Sequence, residues 1–200
     1  MAQTELKSGG EFNVIQADLI LSNGKVVGLK ASIMGLTIFE GIDQIALTGN
    51  MMIQDAFNLA SFGPIIGQEY LKLKIATPGL AGEDHILDYS KNAFMVTSID
   101  DRVPIGNGVQ ASSISFCSRE FIVNQRNRIS RKMTGTYSQI VEKILRDDLD
   151  SNKKFRNEPS VDNKKLIVPN ITPFDTISIA TKNAISKKFN DPTYFFWEDN

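Results

Sequence analysis

Two hundred residues, 42% hydrophobic and 22% charged with a net charge of −1, describe an ordinary globular chain with room for one large or two small domains. That balance excludes disorder over most of the length, and no uncharged apolar run reaches the roughly 18 residues that a membrane-spanning helix requires. One cysteine, Cys117, excludes an intramolecular disulfide, and one histidine, His85, leaves any triad or histidine metal site resting on a single residue.

The near-neutral total hides an asymmetry. Residues 1–118 carry 7 Lys+Arg against 12 Asp+Glu, net −5, and residues 119–200 carry 15 against 11, net +4. A boundary near Ser118 follows, and opposite charge on two parts of one subunit suits ordered stacking onto partners. Residues 1–11 begin with MAQTELKSGG, a polar flexible arm without the apolar stretch of a signal peptide, so the protein is expected to be soluble and made in a cytoplasm.

From Phe12 the chain reads FNVIQADLIL, then Asn23-Gly24, then KVVGLKASIMGLTIFEGI. Asn-Gly between extended apolar runs predicts a hairpin, because both residues tolerate positive φ. Gly28, Gly35, Gly41 and Gly49 predict bends and bulges of the kind curved sheets use.

The stretch Gly49 to Pro78 is read as strand, plug, strand. An apolar strand closes on Asp55, and a short helical turn carries Phe57, Leu59 and Phe62, aromatic and aliphatic groups that must pack against the sheet they interrupt. Gly63-Pro64 and Gly67 turn the chain into YLKLKIA, where period-2 alternation sets Leu71, Leu73 and Ile75 on one face and Tyr70, Lys72 and Lys74 on the other.

A polar loop holding His85, expected to be exposed, leads to AFMVTSIDDRVP, a turn at Pro104, Gly106, Asn107 and Gly108, and the returning strand VQASSISFCS with Cys117 as a small buried hydrophobe. Five to seven strands and one short helix before Ser118 favour a small closed or nearly closed barrel.

Ser118 is suited to an N-cap for a helix running toward Arg126. The basic residues Arg119, Arg126, Arg128, Arg131 and Lys132 follow; with no aromatics interleaved for base stacking, they read as a solvated face or a surface for an acidic protein partner rather than for nucleic acid. A helix over Tyr137–Leu149 has a Thr136/Gln139 capping box and an apolar stripe through Ile140, Val141, Ile144 and Leu149. Asp147, Asp148 and Asp150 at its end read as a solvated, fraying terminus, since no glycine-centred loop or bidentate Glu makes them a calcium site.

An irregular connection follows, with two short strands flanking a polar turn. Thr172, Pro173 and Asp175 then start a helix with Phe174, Ile177, Ala180, Ala184 and Ile185 inward, ending at Asn190, Asp191 and Pro192. TYFFWEDN reads as an aromatic strand with no residues left to supply its neighbour, so either a partner covers it or the chain is cut short.

The sequence holds no GxGxxG, GxxxxGK[ST] or GxSxG, and Asp100-Asp101, adjacent in a strand, point to opposite faces and cannot share a proton. No catalytic, cofactor-binding or metal residues are assigned, and no cofactor is expected; the chain reads as a non-enzyme.

Three stretches carry a resemblance: Gly49 to Pro78 with D…PIIGQEYLKLKIATP; Ala93 to Gln125 with FMVTSIDDR…SSISFCSREFIVNQ; and Leu166 to Asp199 with LIVPNITPFDTISIATKNAIS…PTYFFWED. In these the chain resembles the baseplate hub subunit of T-even-type contractile-tailed bacteriophages and, more distantly, the hub part of type VI secretion spike proteins. The resemblance implies an α+β fold, with residues 12–118 as a tube-like antiparallel β-barrel with one short helix and 119–200 as a smaller α+β hub domain. Family members continue into a second tube-like domain, whereas this sequence stops at Asn200, so the 119–200 hub domain is expected to be truncated at its C-terminal end.

It further implies a structural virion protein of the tail baseplate, assembled in the host bacterial cytoplasm. It would be a ring, as a homotrimer, joining the tail tube to the central spike and forming the channel for DNA ejection. The implied partners are copies of itself, the spike, tail-tube and other baseplate proteins, and DNA only in transit, with no stable membrane association. Lys72, Lys74, Arg119, Arg126, Arg128 and Arg131 are the candidate subunit or partner interface, and Phe57, Leu59 and Phe62 the structural plug. A tail-tube or tube-initiator protein remains an alternative, as does a wall-degrading tail enzyme, which would need a cleft with paired carboxylates or a metal.

Overall fold

A computed structural model describes residues 11–56, 58–63, 65–78, 85–106 and 109–199. Residues 1–10, where the flexible arm is expected, together with Phe57, Pro64, residues 79–84, Asn107, Gly108 and Asn200, lie outside the described residues. Among the described residues the fold is α+β, mainly antiparallel sheet with three α-helices, and divides into two compact units: one up to Phe39 and from Thr48 to Arg119, the other Glu40–Leu47 and Glu120–Asp199.

The first unit is one eight-stranded antiparallel sheet: β1 (Asn13–Ile20), β2 (Val26–Gly28), β3 (Ile33–Phe39), β4 (Thr48–Asp55), β5 (Tyr70–Ala76), β6 (Ile86–Asp88), β7 (Phe94–Gly106) and β8 (Val109–Cys117). Strand order is β2-β1-β5-β7-β8-β4-β3, with β6 also on β5. β1 and β2 form the predicted hairpin: the Gly24 N–H donates to the Leu21 carbonyl at 2.9 Å, Gly24 takes φ +80, and the Asn23 side chain accepts from the Lys25 N–H at 3.0 Å. A side chain at Gly24 would be strained in that left-handed conformation.

The strands form because apolar residues alternate along them. Leu36, Met51, Ile114 and Ile99 sit in one row by register, and Ile38, Gly49, Phe116 and Val96 in the next. Met51, Ile114 and Phe116 are fully buried, as are Leu71 and Leu73 of β5 and Leu19 of β1. Gly49 serves packing rather than bending: a Cβ there would lie 2.4 Å from the Phe116 ring and 2.6 Å from the Thr37 carbonyl. Phe116 stacks on Phe94 and Phe94 on Tyr89, with centroids 4.8 and 4.7 Å apart.

Several expectations are corrected. Among the described residues the sheet is not closed into a barrel, because no ladder joins β2 to β3 and β2, with three residues, offers few backbone groups for one. Pro104 and Gly106 belong to the 13-residue β7 rather than to a turn, accommodated by register shifts against β8. Ile75 is only half-buried, because the pairing of β1 with β5 slips between Val14 and Gln16 and hands the inward position to Ala76. His85 is half-buried in a turn rather than exposed.

Beyond α1 (Arg119–Arg126), the second unit holds β9 (Lys132–Gly135), α2 (Tyr137–Lys143), β10 (Lys164–Ile167) and α3 (Pro173–Asn183), with β9 and β10 paired antiparallel. Ile129, Ile140, Ile144, Leu149, Ile177 and Ala180 form its dry centre. Both predicted caps are present: Thr136 and Gln139 satisfy each other's backbone N–H groups, and Thr172 accepts from the Asp175 N–H with Pro173 at the first position.

Ser118, by contrast, makes no cap; its buried hydroxyl has no partner. The helix expected through Leu149 is α-helical only to Lys143 and widens into a π turn, Ile144–Asp148, in which the Leu149 N–H reaches the Ile144 carbonyl. Its end does not fray: Arg131 holds Asp148 with two bonds of 2.7 and 2.6 Å. α3 stops at Asn183, short of Asn190, and Ile185 is exposed rather than inward. The aromatic ending is extended but forms no strand, because none of its backbone groups enters a ladder.

Candidate assembly surfaces and an aromatic pocket

The outer face of the first unit's sheet divides by chemistry. Across β3, β4, β8 and β7 the register aligns Thr37, Asn50, Ser115 and Ser98, and beside them Met52, Ser113 and Asp100. The Asn50 amide donates to Ser113 at 2.6 Å and Ser115 at 3.3 Å, and Ser98 donates to Asp100 at 2.5 Å. Short hydroxyls tied to an amide or to a carboxylate present no cation.

On β5 the same face carries Tyr70, Lys72 and Lys74. Lys72 lies across from Asp18 and Lys74 across from Gln16, and Lys74 reaches Asp88 of β6 at 3.0 Å. The Ser90 side chain and N–H, then Lys74, hold the Asp88 carboxyl down at about 2. The two edge strands leave apolar side chains exposed, Val26 on β2 and Met34 and Phe39 on β3. Unpaired edges of this kind invite pairing with another chain.

The plug is a single 3₁₀ turn, Leu59–Ser61, started by Asp55, whose carboxylate accepts from the Leu59 N–H at 2.8 and 3.0 Å. Leu59 is buried, whereas Phe62 is 36% exposed and contributes its carbonyl, which accepts from the Asn23 amide at 3.2 Å. Phe57 lies outside the described residues. The packing role therefore falls to Leu59 among the described plug residues.

Sequence reading missed Glu69, which is fully buried. Its carboxylate accepts from the N–H groups of Ile66, Gly67 and Gln68 at 2.9, 2.8 and 3.0 Å, organising the turn that delivers the chain into β5. A buried carboxylate is tolerable there because three donors replace its water.

The candidate arginines are not a bare cationic cluster. Arg131 is committed to Asp148, and Arg128 donates to the carbonyls of Gln125 and Asn127. Arg119 opens α1, and Arg126 ends it, exposed.

Within the second unit lies a pocket of about 570 Å³ walled by Phe155, Phe174 and the extended segment Tyr194 to Trp197. At one side Lys153 bonds Glu120 at 2.5 Å and also Glu198, Ser151 donates to Glu120 at 2.7 Å, and Glu198 accepts from the Leu47 N–H at 3.1 Å. Burial pushes the Glu120 carboxyl up, but the Lys153 charge and the bonds from Lys153 and Ser151 outweigh it and hold it below the usual range. A glycoside hydrolase needs one carboxyl of its pair kept protonated; Glu120 is shifted the other way, so it is an anion and not a proton donor. Sequence offered no signal for this triad, whose members lie 33 and 45 residues apart. No cluster of three metal-ligating side chains occurs among the described residues.

No family model matches the sequence, and no curated protein matches it. Among solved structures, a tail protein from Neisseria meningitidis MC58 superposes on 91% of this chain and 49% of its own, with a TM-score of 0.50 and 11% identity. A chain of the Francisella PdpA–VgrG complex covers 94% of this chain and 28% of its own, with a TM-score of 0.46 and 14% identity. An E. coli component of the type VI secretion system, described as structurally similar to T4 bacteriophage tail proteins gp27 and gp5, covers 96% and 46%, with a TM-score of 0.38 and 10% identity. The chain thus spans about half or less of the length of each. At such identities the likeness is one of fold, and the fold is that of the Neisseria tail protein.

Proposed function

We propose that this chain is a structural subunit of a contractile tail or related spike assembly, a baseplate hub whose ring joins the tail tube to the central spike and leaves a channel for DNA ejection. The observation that carries the reading is the eight-stranded sheet that is open at both ends and shares its fold with a tail protein. An open sheet with apolar edges at β2 and β3 is completed by its neighbours in a ring, which removes the exposed edges that a monomer would have to protect. The cation-free band of Asn50, Ser98, Ser113 and Ser115 suits a lumen along which phosphates must slide, while Lys72 and Lys74 lie at the subunit or partner contact. In this reading residues 12–118, apart from Glu40–Leu47, are the ring domain and 119–200 the hub domain, with Arg119 and Arg126 on the surface offered to acidic partners in the virion tail, and with Arg128 and Arg131 able to join them only by exchanging their present partners.

Electron-microscopy class averages of the purified protein, alone and with its spike partner, test this. Threefold rings of tube diameter are expected, and Lys72→Glu with Lys74→Glu should leave the circular dichroism spectrum unchanged while reducing ring yield severalfold. Strict sixfold rings would make the chain a tube component, and monomers at all concentrations would overturn the assembly reading.

A further inference from the structure

Residues 193–199 run along the core of the second unit without entering a helix or a ladder, and among the described residues no backbone–backbone hydrogen bond ends on any of them. Every second side chain holds the segment instead. Tyr194 donates its hydroxyl to the carbonyls of Glu158 and Pro159 at 3.1 and 3.2 Å. Phe196 packs against the dry centre and against Phe155, with ring centroids 6.5 Å apart. Glu198 pairs with Lys153 and accepts from the Leu47 N–H at 3.1 Å. Between these anchors Phe195 and Trp197 are 55% and 45% exposed.

The ion pair that holds the segment can be given up without stranding a buried charge. Lys153 is shared between Glu198 and Glu120, and Glu120 is bonded in turn by Ser151. When Glu198 leaves, Lys153 keeps Glu120 and Glu198 passes into water, so the large penalty of a lone buried carboxylate does not arise. The Tyr194 hydroxyl likewise exchanges two carbonyls for water. What closure protects is the Leu47 N–H, in a residue only 2% exposed, for which Glu198 is the acceptor. The helices differ, because α2 and α3 cannot open without losing backbone bonds and the core packed between them.

We infer that residues 193–199 form a strap that lifts from the second unit as one piece, while α2, α3 and the β9–β10 pair stay folded, and that Glu198 is its latch. Lifting bares Phe155 and the part of the core that Phe196 covers, so the closed strap hides apolar surface that the folded unit carries. The strap belongs to the second unit alone and holds whatever the chain assembles into.

Native-state hydrogen exchange on the full chain tests the strap, since the Leu47 N–H should exchange when Glu198 leaves it. Leu47 should be protected, yet exchange more than about tenfold faster than the interior amides of α3 and without dependence on low urea concentrations. Glu198→Gln keeps the size and removes the ion pair, and should speed Leu47 exchange about tenfold with α3 unchanged. Tyr194→Phe removes the hydroxyl bonds at the other end of the segment, and should also speed exchange at Leu47 severalfold. Both variants should keep the wild-type circular dichroism spectrum. A Leu47 amide that exchanges with α3 would mean that the segment leaves only when the unit unfolds. An unprotected Leu47 would mean that Glu198 does not close over it, and a Leu47 rate indifferent to Tyr194→Phe would mean that the segment does not move as one piece; each result would overturn the strap.

Discussion

The two units hold extended chain in opposite ways. In the first, every strand is fixed by backbone ladders and by a core that closes under them, so side chains decide which face is inward and little else. In the second, the aromatic ending and its facing segment are equally extended but are fixed by an ion triad, a tyrosine hydroxyl and a ring contact. A ladder tolerates most single side-chain changes on its solvent face. A segment held by a few side chains depends on each of them.

The largest effect should therefore come from the core beneath the ladder. Phe116 is 2% exposed, stacked on Phe94 and lodged over Gly49. Phe116→Ala should cost about 3–5 kcal/mol in urea unfolding. Gly49→Ala drives a methyl toward the same ring, so the two changes together should cost less than their sum; the Thr37 carbonyl, 2.6 Å from that methyl, keeps the recovery partial. Strict additivity would show that Gly49 is not where the sheet makes room for Phe116.

The second unit should yield to one surface-proximal lysine. Lys153→Met strands two carboxylates, one of them largely buried, and should cost about 3 kcal/mol. The pH dependence has a definite sign. Glu120 is held below its ordinary value of 4.5, so its contribution is complete above about 4.5 and is lost as pH falls through the folded-state value. Thermal midpoints measured from pH 6 downward should fall in the wild type and fall less in Lys153→Met. Equal acid sensitivity would detach the triad from the unit's stability.

What could be read in advance follows the same division. The Asn23-Gly24 hairpin, the alternation from Tyr70 to Lys74 and the Thr136 and Thr172 caps were legible because each is a local rule that acts within a few residues. The aromatic ending carried the period of a strand, but a strand also needs a partner, and partners are not written locally. Closure of the barrel failed although β2 and β3 are only four residues apart in the chain, because β2 is three residues long and no ladder joins it to β3. Of the candidate site, Lys72 and Lys74 were legible as one face, whereas the pocket and Glu69 were not, because a buried glutamate looks like any surface glutamate until its three donors are folded around it.

Glu69 lies between the extremes, a side chain that acts as backbone. Glu69→Gln keeps the size but sets an amide NH₂ where an oxygen accepts, and should cost about 1–3 kcal/mol in urea unfolding. Native-state hydrogen exchange should quicken at Ile66, Gly67 and Gln68 before it quickens in β5. A uniform increase across the sheet would mean that the turn has no separate stability of its own.

The smallest effect decides whether Lys74 is free to serve a partner. Asp88 sits at about 2 in the folded chain, and the bonds from the Ser90 side chain and N–H weigh more in this than Lys74 does. Carboxyl carbon shifts followed by NMR should therefore show Ser90→Ala raising the Asp88 pKa more than Lys74→Met does. The sign follows from the same linkage: Asp88 is lowered from 3.8, so it favours the fold above about 3.8 and ceases to do so as pH falls toward 2. If Lys74→Met gave the larger rise, the lysine's charge would be committed to Asp88 and Lys72 would be left as the cation of that strand that could meet a neighbour. With Ser90 dominant, the ion pair at 3.0 Å is a partly exposed one that a stronger carboxylate on another subunit can replace at little cost.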